Sequence, residues 1–283
     1  MKMSMGQSGR RLLGLAVAGT ALLAGGTAFA ELGQPAPWEY KLQGSGSPVM
    51  DNITSFHNFL FVLITIITLF VLALLVIVVV KFNAKTHPVP SRTTHNTLIE
   101  VAWTLIPVLI LVGIAVPSFR LLFEELDIPK ADLTVKVTGN QWNWTYAYPD
   151  DKIEFTSIML SDEDRAKRNP PPPRLLGVDN EMVVPVNKVV RIQPTGADVM
   201  HSFAVPAFGI KIDSIPGRLI ETWFKATKEG TYYGQCSELC GKDHSFMPIV
   251  VRVVKDQEYE DWKKKQVAAN PANALASAAA AAR

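Results

Sequence analysis

The chain has 283 residues, 48% of them hydrophobic, enough for one sizeable folded unit plus membrane segments but not for two large domains. A formal charge of +2 at pH 7 with no stripe of Lys or Arg offers little to a phosphate backbone, which excludes nucleic-acid recognition. Its two cysteines, Cys236 and Cys240, exclude a disulfide framework and confine whatever the pair does to one short segment.

The first 30 residues carry Lys2, Arg10 and Arg11, then an apolar stretch from Leu12 to about Leu23, then Ala28-Phe29-Ala30. That order predicts a cleaved secretory signal over 1–30 and a mature chain starting near Glu31. An uncleaved first membrane helix is the competing reading, and the stretch is short and rich in Gly and Ala for one. Residues 31–123 then read as an N-terminal segment and a two-helix transmembrane hairpin. From Phe59 to Val80 every residue is apolar except Thr65 and Thr68, which predicts a membrane helix at about 55–81. A second apolar run from Val101 to Val116, interrupted by Pro107 and bounded by Pro117, continues to Phe123 with only Arg120 charged, predicting a helix at about 99–123 packed against neighbours. The connection holds Lys81, Lys85 and Arg92 and no acid, whereas Glu124, Glu125 and Asp127 follow the second span. The positive-inside rule places the connection in the cytoplasm and both flanks on the exported side, in agreement with the signal.

Over 124–265 the period changes to two. Leu133, Val135 and Val137 alternate with polar residues, as do Trp142, Trp144, Tyr146 and Tyr148. Further β-rich runs at Glu181–Ile192, Ile220–Ala226 and Pro248–Val254, separated by Gly and Pro turns, favour an antiparallel sandwich or barrel over an α/β fold. Ser161–Pro173, ending in four prolines, reads as an inserted surface loop. A short polar helix around Gln257–Gln266 precedes an Ala-rich tail, 266–283, expected to be disordered.

The chemistry concentrates in Cys236-Ser-Glu238-Leu-Cys240-Gly-Lys-Asp-His244-Ser-Phe-Met247, with His201 on a separate segment. Two thiolates, two imidazoles and a thioether form a soft donor set that selects copper among the common metals. A mononuclear blue-copper site uses one Cys, so the second thiolate raises the possibility of two bridged coppers. A local disulfide competes, although it would close a very short loop and stabilise little. A zinc site of two Cys and two His also competes, but leaves Met247 without a role.

Cys236-Ser-Glu-Leu-Cys240-Gly with His244 and Met247, Asp198-Val-Met-His201-Ser-Phe, Asp213-Ser-Ile-Pro-Gly-Arg218 and Gln141-Trp142-Asn-Trp144 together resemble the cytochrome c oxidase subunit II family. The resemblance implies a membrane-anchored all-β protein: two N-terminal transmembrane helices and a cupredoxin-like Greek-key β-sandwich, in the bacterial inner membrane with the sandwich in the periplasm. It implies a dinuclear, mixed-valence copper centre (CuA) bridged by Cys236 and Cys240, with His201 and His244 each on one ion and Met247 and the Glu238 carbonyl completing the shells. It implies a Mg or Mn site shared with subunit I at the Glu238 side chain, electron acceptance from cytochrome c at Trp142, and docking acids at Asp179 and Asp198. Glu100 falls at the mouth of the family's K proton pathway, where its alternative is a helix-start glutamate stabilised by the macrodipole. Asn140, Asn143 and Ala147 depart from the family's frequent His, aromatic and acid around Trp142. The implied partners are cytochrome c, the haem- and copper-bearing subunit I, subunit III and membrane lipid. A copper-free quinol-oxidase-type subunit or non-metal scaffold is the alternative, and the full donor set counts against it. A soluble-type copper reductase domain is a further one, and the two spans count against that.

Overall fold

A computed structural model describes residues 33–269; the signal expected at 1–30 lies outside the described residues, as does the expected tail beyond Ala269, while its first residues, 266–269, are helical instead. Helix α1 spans Pro48–Lys81 and α2 spans Thr97–Leu126. The first begins well before the apolar run because its cap is set by the folded domain. Ser47 Oγ accepts from Met50 N at 3.0 Å while donating to Phe208 O at 2.7 Å, and Pro48 occupies the first turn, where its missing N–H costs nothing. Val49 and Met50 are buried, so the first turn is docked on the sandwich before the helix enters its apolar stretch. Thr65 and Thr68 donate to the carbonyls of Phe61 and Ile64, which hides their hydroxyls on an otherwise apolar surface. Asn52 Nδ2 reaches both Glu124 carboxylate oxygens at 2.9 Å, tying the hairpin together at its outer end. Both helices are long and apolar enough to cross a membrane and expose apolar side chains along most of their length.

The remaining chain folds into two five-stranded sheets. The strands are β1 (Leu133–Asn140), β2 (Asn143–Tyr148), β3 (Ile153–Ser157), β4 (Met182–Pro185), β5 (Val189–Gly196), β6 (His201–Val205), β7 (Ile210–Ser214), β8 (Thr222–Lys225), β9 (Gly230–Cys236) and β10 (Pro248–Val254). One sheet has the order β3-β2-β1-β5-β8, the other β4-β10-β9-β6-β7. The expected antiparallel pairing holds for six of the eight strand pairs and is corrected for two: β1 pairs with β5, and β4 with β10, in parallel. Period two identifies a strand and its buried face but says nothing about its neighbour's direction. The single run expected at Glu181–Ile192 is two strands in opposite sheets. The chain crosses between them at Val186–Lys188, where Asn187 has φ +60 and the N–H groups of Val186 and Asn187 bond Val254 O and Ala226 O. Apolar Val186 and Val189 disguise that crossing in the sequence.

β1, β2 and β5 alternate buried and exposed positions as their sequences require, with Val135, Val137, Trp144, Tyr146, Tyr148, Val190 and Ile192 all facing the core. β4 and β6 are buried throughout. The N-terminal segment lies across the second sheet, with Gly33 O accepting from Tyr233 N and Gly46 N donating to Ala207 O. Strands covered on both faces lose period two, which is why β6 was not expected. The helix after β10, α4 (Asp256–Ala269, following a single turn α3 at Asp162–Ala166 inside the proline-bearing loop), closes the far end by setting Trp262 tilted against Tyr148 and edge-on to Phe155.

Candidate metal centre

β1 ends at Asn140, β6 begins at His201 and β9 ends at Cys236, so the ends of three strands from both sheets meet. Phe203 on β6 pairs with Cys236 on β9, and Ser237 N donates to Ser202 O at 3.0 Å, which fixes the start of the cysteine loop on the strand that carries His201. The loop then curls back: His244 N bonds Gly241 O, His244–Phe246 forms one tight turn, and β10 begins at Pro248.

This fold gathers every sequence-predicted soft donor. Both cysteines are free. The His201, Cys236 and Cys240 donor atoms lie within 4.8 Å of one another and all three residues are buried. Cys236 Sγ stands 3.9 Å from His201 Nδ1 and 3.9 Å from Cys240 Sγ. Cys240 Sγ is 3.6 Å from His244 Nδ1 and 3.5 Å from Met247 Sδ, and the Glu238 carbonyl oxygen is 3.4 Å from Cys236 Sγ. A metal–thiolate bond is about 2.3 Å, so an ion between the sulfurs reaches both. One His sits beside each cysteine, Met247 lies beside Cys240 and the Glu238 carbonyl beside Cys236, and the residues therefore fit two ions sharing two thiolates. Burial of the thioether, 1% exposed, within reach of a thiolate suits copper and gives zinc nothing.

The protonation states are set unequally. Burial opposes ionisation of Cys236, but the His201 imidazole and neighbouring backbone groups outweigh it and bring the thiol down to about 6. Burial and then the adjacent Cys236 charge push Cys240 up to about 12. His201 is raised above its ordinary value: burial works against its charge, but Cys236 and Asp198 prevail. In the metal-free site Cys236 is thus the sulfur biased toward the thiolate and Cys240 the one biased toward the thiol. A metal ligand must be deprotonated, so loading should release at least about one proton per chain at pH 7.5, and affinity should weaken as pH falls. Copper titration in weak buffer with a pH electrode checks this; no proton release would contradict the donor assignment.

Around the donors lies a shell that the motif alone does not disclose. Asp198 accepts from His201 Nε2 at 2.8 Å, Val199 N at 2.7 Å and Gln141 N at 2.7 Å. Burial would raise its pKa, but these donors hold its carboxyl below the usual range. Expected as a docking acid, Asp198 is also the carboxylate that orients a donor imidazole. Trp144 donates from Nε1 to Met247 O at 3.1 Å and meets His201 edge-on at 5.9 Å between ring centres. Gly139 lies against the same ring, where a Cβ would stand 2.7 Å from His201 Cγ. A glycine inside a strand is the one sequence signal that could have marked this close approach.

Trp142 is half-buried in the β1–β2 turn rather than on β2. Its ring abuts Gly241, where a Cβ would lie 2.8 Å from Cζ2, and Lys242 Nζ stands 5.7 Å from the ring centre. Two site candidates lie apart from the donors. Asp179 is at the loop after β3, accepting from Ile158 N and Asn180 N at 2.7 Å each. Glu100 is in the first turn of α2, accepting from Asn96 N at 3.1 Å while Asn96 Oδ1 accepts from Ile99 N. The Glu238 side chain is half-buried, and its carbonyl faces Cys236.

A two-sheet β-sandwich on a two-helix membrane hairpin, with two cysteine sulfurs, two imidazoles and a thioether gathered at one end, all but the half-buried His244 buried, defines a membrane-anchored copper protein of the electron-transfer class. The profile of "Cytochrome C oxidase subunit II, periplasmic domain" matches residues 133–254, and that of its transmembrane domain matches residues 35–121. A probable cytochrome c oxidase subunit 2 of Rickettsia bellii is 51% identical over 255 residues, covering 89% of this chain and 94% of that protein. Cytochrome c oxidase subunit 2 of Cereibacter sphaeroides is 44% identical over 272 residues, covering 89% and 90%. The crystal structure of the periplasmic domain of cytochrome oxidase subunit II of Bradyrhizobium japonicum is 64% identical, covers 50% of this chain and 96% of that one, and has a TM-score of 0.45. The chain belongs to the cytochrome c oxidase subunit II family, and its sandwich is cupredoxin-like.

Proposed function

We propose that this chain accepts electrons from cytochrome c at a dinuclear copper centre and passes them to the oxygen-reducing subunit I, from the periplasmic face of a bacterial inner membrane. The observation that carries this reading is the convergence of six donor groups, from His201, Cys236, Glu238, Cys240, His244 and Met247, at the sandwich end where Trp142 also lies. When bound, a copper pair supplies a one-electron acceptor and donor. The protein's own part is to hold the donors still. Strand ends carry His201 and Cys236, Asp198 fixes the His201 ring, and Trp144 fixes the carbonyl of Met247. A site held in one geometry has little to rearrange between oxidation states.

Trp142 is the point of electron arrival in this reading: a half-buried indole in contact with Gly241, next in sequence to Cys240. Asp179 and Asp198 add negative charge that steers a basic donor protein. The Glu238 carboxylate is free to take Mg or Mn with subunit I, since a hard cation prefers oxygen donors. Glu100 lies at the opposite end of the 30-residue α2 from Glu124, roughly 1.5 Å per residue away along the helix. This separation supports a cytoplasmic position for Glu100, at the start of a proton path to subunit I. Subunit III and lipid complete the partners that cover the apolar helices. A copper-free scaffold would have no use for the buried donor set.

Trp142→Ala tests the reading. Oxidation of cytochrome c should slow strongly while its binding changes little, because affinity rests on apolar contacts and steering rather than on one indole. Steady-state kinetics with a copper assay on the same preparation decide it. Full turnover with copper intact would show that electrons arrive elsewhere.

A further inference from the structure

The turn that carries Trp142 is tied to the copper-ligand segments at two points, both through Gln141. Its backbone N–H donates to Asp198 Oδ2 at 2.7 Å, and the other oxygen of that carboxylate holds His201 Nε2 at 2.8 Å. Its side-chain Nε2 donates to the carbonyl of Cys240 at 2.8 Å. One residue thus reaches both ligand segments, 57 and 99 residues away in sequence. Trp142 has no equivalent anchor of its own: its Nε1 is buried without a hydrogen-bond partner among the described residues. Apart from Lys242 Nζ, 5.7 Å from the ring centre, the indole's placement follows from the turn and from Gly241 beneath it. Gly241 takes φ +130 and leaves no room for a Cβ, which would lie 2.8 Å from Trp142 Cζ2 and 3.1 Å from Gln141 Nε2.

We propose that Gln141 is a positioning residue that holds the electron-accepting turn against the Cys240–Gly241 backbone, so that Trp142 and the copper ligands move as one unit. It touches no reacting atom. The inference rests on the proposed role of Trp142 and adds that the side-chain bond to Cys240 O maintains that role. The bond joins the loop of the second sheet to the turn of the first, and neither strand pairing nor the core contacts of β2 duplicate it. Asn140, beside it, turns inward, donating from Nδ2 to Asn143 Oδ1 and Thr145 Oγ1, and so stiffens the turn without reaching the copper loop.

Gln141→Met retains the length of the side chain and the backbone N–H to Asp198, and removes only the donor to Cys240. In the purified oxidase complex, reduction of copper by bound cytochrome c should slow by about fivefold, the population shift that loss of one net hydrogen bond produces. Copper content, the copper absorption spectrum and onward electron transfer to haem should stay unchanged, and KM for cytochrome c should move little while kcat falls. Gln141→Lys, which can again donate to the carbonyl, should recover part of the rate. Loss of copper in Gln141→Met would assign the residue to site assembly and overturn the proposal. An unchanged reduction rate in Gln141→Met while Trp142→Ala is slow would also overturn it, leaving the role of Trp142 intact. Unchanged rates in both variants would instead remove Trp142 as the acceptor, and the inference with it.

Discussion

Gly139→Ala should strip the domain of most of its copper although Gly139 supplies no donor atom. Gly139 is buried in β1, opposite Trp144 on β2 and Gly196 on β5. An added Cβ would lie 2.7 Å from His201 Cγ, 2.8 Å from Cδ2 and 2.9 Å from Cβ. The ring cannot simply tilt aside. Asp198 holds Nε2 from one direction, and Trp144 closes on the ring from another. Relief must come from moving His201 or the end of β1, and either shifts Nδ1 from its place 3.9 Å from Cys236 Sγ. Overpacking of this kind costs about 1–3 kcal/mol, which a domain with a large aromatic core survives with a melting temperature lowered by several degrees. The expected result is a folded domain, unchanged in far-ultraviolet circular dichroism, with little copper and no native copper spectrum. Normal loading would mean that His201 has freedom this packing denies it.

Cys240→Ser should have the larger effect on the centre and the smaller on the fold. Cys240 Sγ faces three other donors, Cys236, His244 and Met247, at 3.9, 3.6 and 3.5 Å. A hydroxyl of nearly the same size fills its buried position but is a poor ligand for a soft ion. Without the second thiolate nothing bridges, and the mixed-valence signal should disappear, leaving at most a mononuclear site on Cys236 and His201. Cys236→Ser should abolish the signal too, and in addition remove the sulfur that its neighbours bias toward the thiolate. Electron paramagnetic resonance with metal analysis on both variants is the check; an unchanged copper count and spectrum in both would refute the bridging role.

The donor types were readable from the sequence because five of the six lie within Cys236–Met247, where a short loop leaves them few places to go. His201 needed the strand pairing Phe203↔Cys236 to be brought to them, and that pairing is non-local. For the same reason Asp198, Gln141 and Gly139 could not be assigned their contacts: each acts across a junction between strand ends that composition and periodicity do not encode. The alternation of β1, β2 and β5 was plain, since one face of each meets the core and the other does not. The all-buried β4 and β6 carry no such rhythm, and the parallel pairs depend on which sheet each strand joins. The membrane helices were evident from hydropathy, but the start of α1 at Pro48 depends on Ser47 bonding Phe208 O, 161 residues away.

The most direct measurement is the copper content of the purified full-length chain in detergent, with its electron paramagnetic resonance spectrum. The proposed centre has six donor groups, two of them cysteine sulfurs 3.9 Å apart, and predicts two coppers per chain and a signal split equally by two copper nuclei. One copper per chain, stoichiometric zinc, or a metal-free protein with Cys236 and Cys240 joined in a disulfide would contradict the dinuclear centre.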